Sequence, residues 1–232
     1  MLSHTDILRQ VTFFAGLGEA ELEAIGAAAA LRKVAQEGYY FLQGDPAERI
    51  FVLVTGRVKL TQASPDGQQV LLRIAGPHTL FGGVALAQAE VYPVSAQAAD
   101  ASAALSWPRT AMQSWIERSP ALAINAMKLM AGQAQDIQEL YRQLATERVE
   151  RRLARTLIRL AAQAGKKTPE GVLIDLTLTR QDLAEMSGTT LFTVSRILSA
   201  WESKGLVSLG RERVVIKYPH GLVTIAEDIG ME

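Results

Sequence analysis

Hydrophobic positions along this chain change their spacing three times, and each change predicts a different kind of structure. Toward the carboxyl end, Thr179 and Asp182 stand three apart ahead of Leu183, Ala184 and Met186. That is the spacing of a capping box opening a helix. Gly188 supplies a left-handed turn, and Thr190 caps a second helix running from 191 to about 202. Val194, Ile197, Leu198 and Trp201 recur at helical spacing and predict its buried stripe. The opposite face carries Leu191, Phe192, Ser195, Arg196 and Ser199, an unusual set for a helix facing only water. Strand-like runs at 206–209 and 213–217, joined through Gly210-Arg211-Glu212, predict a β-hairpin wing. Capped helix, glycine turn, second helix and hairpin, in that order, predict a winged helix-turn-helix over 146–232, a module that reads DNA.

The preceding chain has a different grammar. Residues 5–31 read as helical, with Ala and Leu dominating after Gly16-Leu17-Gly18. Short β-type runs follow at 39–42, 50–54, 58–61, 70–74 and 103–107. Gly38, Gly44, Gly56, Gly67 and Gly76 punctuate them at intervals of 6 to 12 residues, and Pro65-Asp66-Gly67 is a turn sequence. Such a series predicts a small β-roll or jelly-roll-like barrel within 1–110. A long helix then spans 111 to about 143, interrupted near Ser119-Pro120. Met127, Ala134 and Tyr141 fall on one heptad position and Met130, Ile137 and Leu144 on the other, a seam for a two-fold partner. Leu122, Leu129 and Leu140 widen that stripe toward the barrel. The predicted architecture is therefore α+β, with a sensing domain (1–110), a dimerisation helix (111–145), a hinge at 144–149 and the DNA-reading domain.

Composition narrows the chemistry. The chain has 232 residues and no cysteine, which excludes disulfides, thiolate metal sites and cysteine-ligated clusters. No basic-then-apolar leader or membrane-length apolar run is seen, so a soluble cytoplasmic protein without membrane contact is expected. A formal net charge of zero conceals an uneven distribution: Lys and Arg against Asp and Glu number 11 to 13 in 1–146, 13 to 8 in 147–217, and 0 to 3 in the tail. Positive charge thus gathers where phosphate attraction needs it. Arg196 is the expected guanine reader, offering two parallel donors to O6 and N7. Ser195, Ser199 and Thr190 lie beside it, and Arg180, Lys204, Arg211 and Arg213 are expected at phosphates.

The stretches FFAGLGEAELEAI, EGYYFLQGDPAERIFVLVTGRVKL, SPDGQQVLLRIAGPHTLFGG, RRLARTLIRLA and TRQDLAEMSGTTLFTVSRIL together resemble the bacterial Crp/Fnr family. The resemblance implies a cyclic-nucleotide-binding-like β-roll, a homodimer on a near-palindromic promoter site in double-stranded DNA, and RNA polymerase as a partner. It also implies that Thr193 touches phosphate. Phe192 stands where most relatives place a glutamate that accepts from cytosine, and Leu191 where the cyclic-AMP receptor protein has an arginine. Both are expected to pack on thymine methyls. The nucleotide cassette of the family resembles F-G-E-L-A followed by R-S-A. Here it reads Phe81-Gly82-Gly83-Val84-Ala85 and then Val94-Ser95-Ala96, so Gly83 replaces the ribose-binding glutamate and Val94 the phosphate-binding arginine. An ungapped alignment back from Arg152 also puts Ile137-Gln138 where the receptor has its adenine-contacting Thr-Ser pair. A buried phosphate without its arginine costs several kcal/mol, roughly. Cyclic AMP is therefore not the expected effector.

The pocket lined by Phe81, Gly82, Gly83, Val84, Leu86, Val94, Ser95 and Ala96 leaves the effector's identity open. Haem is one alternative, with His78 as its ligand at a turn position usually occupied by glycine in the family. An organic ligand, no ligand at all, and a cyclic nucleotide in a rearranged pocket are the others. A cupin-like metal enzyme would need several converging histidines, and the barrel stretch has only His78, so no catalytic residue is expected.

Overall fold

Ser3 closes a capping box with Asp6, which starts the first helix. The computed structural model describes residues 3–65, 69–87, 89–176 and 178–228. It divides the chain into two compact units, Met1–Asp136 and Ile137–Glu232. Asp66 and Gly67 of the expected turn lie outside the described residues.

In the first unit α1 (His4–Arg9) and α2 (Glu19–Ala27) flank a 3-10 turn at Thr12–Phe14. The expected helical stretch over 5–31, broken at Gly16-Leu17-Gly18, holds as two helices and fails only at its end. Gly16 at φ +81° breaks it, and Ala30 already belongs to β1 (Ala30–Val34), paired antiparallel with Ser106. Cross-strand pairing overrides alanine's helical preference there. The strands β2 (Tyr39–Phe41), β3 (Arg49–Thr55), β4 (Val58–Ala63), β5 (Gln69–Ala75), β6 (Leu80–Phe81), β7 (Ser95–Ala98) and β8 (Ser102–Pro108) complete the β-roll. They form two antiparallel sheets in the orders β1-β8-β3-β6 and β2-β7-β4-β5. Apolar residues from both sheets fill one core, in which the Phe51 and Phe81 rings stack at 5.1 Å and those of Phe41 and Tyr92 at 3.7 Å. Trp107 fastens α2 to this core, because its fully buried indole donates to Ile25 O at 2.8 Å.

Next come α3 (Arg109–Arg118) and α4 (Pro120–Thr146), separated at Ser119. Leu122 is buried in the β-roll core and Leu129 packs on its edge, as their places in the stripe predict. In the second unit, α5 (Val149–Ala164) leads to β9 (Gly165–Thr168), β10 (Gly171–Ile174), α6 (Arg180–Ser187), α7 (Leu191–Ser203), β11 (Val207–Gly210), β12 (Arg213–Ile216) and α8 (Pro219–Glu227). The wing is one half of a four-stranded sheet, β11-β12-β10-β9, rather than an isolated hairpin. Gly171 permits the join: at φ +135°, a Cβ there would sit 2.2 Å from Ile216 O.

Replacing Trp107 with alanine removes the indole hydrogen bond and opens a cavity in the β-roll. The expected cost is about 3–5 kcal/mol, read as a lower urea midpoint. A midpoint within experimental error of wild type would contradict this account of the core.

Candidate nucleic-acid interface and effector pocket

The helix-turn-helix is assembled from backbone requirements outward. Thr179 accepts from Asp182 N, and Asp182 Oδ2 accepts from Thr179 N at 2.8 Å, so the capping box at α6 is complete. Gly188 ends α6 in the left-handed region at φ +60°, and a Cβ there would strike Leu144 Cδ2 at 2.3 Å. Two reasons therefore hold this position to glycine.

Arg152, on α5, completes the turn. Its buried guanidinium donates to Ser187 O at 2.8 Å, Gly188 O at 3.1 Å and Glu147 O at 2.6 Å. A cation thus satisfies carbonyls left orphaned at the end of α6, where the helix dipole also favours it. Sequence reasoning did not single this residue out as functional. The available signal was an arginine on the otherwise apolar face formed by Leu153, Leu157 and Leu160. Glu147, in the bend between α4 and α5, is buried and ion-paired to Arg142 at 3.0 Å and Arg155 at 3.3 Å. This bend lies within the stretch 144–149 read as a hinge, whereas the two compact units divide at Asp136 and Ile137.

Thr190 caps α7 by accepting from Thr193 N at 3.3 Å. Val194, Ile197, Leu198 and Trp201 are buried, as their spacing predicts. On the other face Leu191, Phe192, Arg196 and Ser199 are exposed, and Thr193 and Ser195 half-buried. Phe192 is 83% exposed. Leu191 beside it is 40% exposed, so the two leave an apolar pair in water. Arg180 begins α6, Lys204 ends α7, and Arg211 and Arg213 occupy the wing, all exposed. Glu212 takes the left-handed conformation in the β11–β12 turn at φ +54°. Arg213 lies 3.8 Å from Glu170, whereas Arg196, Lys204 and Arg211 make no ion pair among the described residues.

The heptad positions Met127, Met130, Ala134, Ile137, Tyr141 and Leu144 are all exposed on α4. Met127, Ile137 and Tyr141 are about 70% exposed, at 70%, 68% and 74%, an apolar strip that a single chain leaves uncovered.

In the β-roll, Phe81, Val84, Leu86, Val94 and Ala96 all belong to the core or pack against it. Gly82 is left-handed at φ +72° and hemmed by Arg49 O, Phe51 and Phe41. Gly83 starts a 3-10 turn, and a Cβ there would lie 3.2 Å from Leu80 and 3.7 Å from Leu129. Ser95 Oγ accepts from Gln43 N at 2.9 Å. Gly83 and Val94, where the family resemblance implies a carboxylate and a guanidinium, thus offer neither charge.

His78 sits in a tight turn at φ +63°, where its own N–H donates to Leu53 O at 2.8 Å. That conformation explains why glycine suits the position. Its imidazole makes no side-chain hydrogen bond among the described residues, so the partner that orients a ligating histidine is missing. No group of three or more His, Cys, Asp or Glu side chains converges among those residues either. His4 Nδ1 is already bonded to Gly26 O at 2.9 Å.

Comparison with known proteins gives matches over both units. Residues 31–119 match the cyclic nucleotide-binding domain and residues 151–225 the Crp-like helix-turn-helix domain. A CRP-like cAMP-activated global transcriptional regulator of Mycobacterium tuberculosis is 27% identical over 76% of this chain and 79% of its own length. The anaerobic regulatory protein of Bacillus subtilis is 28% identical over 80% of this chain and 78% of its own. FixK2 of Bradyrhizobium japonicum shares the fold, with a TM-score of 0.75 at 20% identity over 85% of this chain and 96% of that one.

Arg152→Ala leaves three carbonyls without their donor and is expected to destabilise the second unit by on the order of 3 kcal/mol. Thermal unfolding followed at Trp201 measures it, and an unchanged midpoint would contradict the clamp. At the end of α4, Arg142 and Gln143 donate to the Glu139 carboxylate and hold its pKa at about 2. A depressed carboxylate contributes fully above its unfolded value of about 4.3 and loses that contribution as pH falls through about 2. Acid titration of helicity should therefore separate wild type from Glu139→Gln above, and not below, that window.

Proposed function

The chain belongs to the Crp/Fnr family of transcription regulators, and from that premise we propose that it binds a near-palindromic promoter site as a homodimer under the control of an effector other than cyclic AMP. Members of this family are regulators rather than enzymes. The observation that carries the reading is the face of α7: Leu191, Phe192, Arg196 and Ser199 stand exposed above a fully buried stripe, behind a capped turn.

In this reading α7 enters the major groove amino end first. Arg196 reads a guanine by a bidentate pair, Ser195 and Ser199 flank it, and Leu191 and Phe192 pack on thymine methyls. Thr190 and Thr193, at the amino end of the helix, face phosphate, as do Arg180, Lys204, Arg211 and Arg213. The half-site thus keeps the Arg196-read guanine and loses the bases that need an arginine and a glutamate at 191 and 192. Met127, Met130, Ala134, Ile137, Tyr141 and Leu144 form the two-fold seam, which buries the apolar strip that a single chain leaves in water. Domain bounds of 1–110, 111–145 and 146–232 follow from these roles. RNA polymerase is the partner on the promoter, and the cytoplasm is where that promoter lies. No helix among the described residues is long and apolar enough to cross a membrane.

The Mycobacterium tuberculosis relative is described as cAMP-activated. This pocket offers Gly83 and Val94 in place of the nucleotide's two anchors, so the same ligand would bury its charge without compensation.

Operators selected from random duplex DNA provide the test. Arg196→Ala should lose about 1–3 kcal/mol per half-site and relax preference at one guanine, measured by fluorescence anisotropy. Unaltered affinity and specificity would contradict the reading. Calorimetry with cyclic AMP and cyclic GMP should give dissociation constants weaker than about 1 μM; tighter binding would instead support a nucleotide-gated regulator with a rearranged pocket.

A further inference from the structure

Leu191 and Phe192 open α7 with two apolar side chains, 40% and 83% exposed. Residues three and four apart on a helix are surface neighbours, so Phe192 shares a face with Ser195, Arg196 and Ser199. Serine and arginine side chains hydrogen-bond to base edges, and phenylalanine has no atom that does so. The one carboxylate in α7 is Glu202, near its far end, where it accepts from Leu209 N at 2.8 Å. The first two turns of α7 therefore contain no acidic side chain to accept from a base amino group.

A base lying against Leu191 and Phe192 is thus recognised through its carbon. In the major groove thymine presents a C5 methyl, whereas cytosine and adenine present amino donors and guanine two acceptors. The apolar pair matches the methyl and leaves the polar edges of the other bases without a partner, which is costly once water is excluded. A methyl on C5 of cytosine stands at the same point in the groove as that of thymine, beside an amino group in place of a carbonyl oxygen. Phe192 and Arg196 are four residues apart, about 6 Å along the helix axis, and base pairs rise by about 3.4 Å. The methyl therefore lies within about two base pairs of the guanine assigned to Arg196.

We infer that Leu191 and Phe192 form a reader of C5-methyl groups that accepts 5-methylcytosine as well as thymine and disfavours unmodified cytosine. Methylation of an operator cytosine at that position strengthens binding without changing the base sequence. The inference rests on the reading of α7 as the helix that enters the major groove, and it adds a response to the covalent state of the DNA. Burial of one methyl corresponds to about fourfold in affinity, and to about fifteenfold when both half-sites carry it.

Fluorescence anisotropy of the full chain on a selected operator tests it. Each thymine of the half-site is replaced in turn, in both half-sites together, by deoxyuridine, which lacks only the methyl. One position within about two base pairs of the guanine whose preference Arg196→Ala relaxes is expected to lose about fifteenfold. Cytosine and 5-methylcytosine are then compared at that position. The methylated duplex is expected to bind about fifteenfold more tightly than the unmethylated one and more weakly than the thymine duplex. In Phe192→Ala both ratios should fall toward one, and in Leu191→Ala they should shrink. Each ratio is taken within one protein, so a general loss of affinity in a variant does not enter it. Should Phe192→Ala bind too weakly to measure, the two wild-type ratios decide the question. The absence of a deoxyuridine-sensitive position overturns the inference, as does equal binding of cytosine and 5-methylcytosine or ratios unchanged in Phe192→Ala. A chain that binds operator with Arg196-dependent preference but ignores the methyl loses this inference alone. One that binds no operator loses the regulator reading.

Discussion

One guanidinium fixes the geometry of the DNA-reading unit. Arg152 projects from α5 and gathers the carbonyls of Glu147, Ser187 and Gly188 within hydrogen-bond reach. It thereby joins the bend after α4 to the turn between α6 and α7. Three carbonyl acceptors and a helix carboxyl end answer its buried charge, while the carboxylate of Glu147 is answered separately by Arg142 and Arg155. The groups that answer these charges also set the path of the chain, although Glu147 Oε2 and Arg155 Nε face each other at ion-pair distance without a hydrogen bond.

The same economy explains why α7 can expose what it does. Val194, Ile197, Leu198 and Trp201 hold the helix from beneath, Thr190 holds its first turn, and the four-stranded sheet carries the wing. The outer residues are then released from structural duty. Phe192, 83% exposed, is carried on that support without taking part in it. In the β-roll the roles are reversed, because aromatic packing fills the core.

Much of this was legible in the residues because local chemistry and tertiary packing agree. Thr179 with Asp182, Gly188, Thr190 and the stripe in α7 each state a backbone requirement that only one local structure satisfies. The heptad positions on α4 are exposed, as one face of a helix at that spacing can be, and their partner belongs to the proposal. Disagreement arose where packing outweighs local preference. Ala30 and Leu31 look helical alone and become a strand through pairing with β8. The strands β9 and β10 are short, β9 contains Gly165-Lys166-Lys167-Thr168, and their existence depends on Gly171 allowing close approach to Ile216. Arg152 was legible as a residue and not as a role. In a sequence, a partly buried arginine looks like a solvated one, and register or hydrogen-bond partners are needed to tell them apart. His78 shows the converse, since a residue that stood out by type serves as a left-handed turn.

The central claim is that two copies of the chain present Arg196 to successive major grooves on one face of the DNA. Operator binding measured with the two half-sites set one full helical turn apart, about 34 Å, and again with half a turn inserted, tests it most directly. The account predicts two chains per operator at full-turn spacing and loss of that complex when the half-turn is inserted. One chain per site, or affinity indifferent to the insertion, would contradict it.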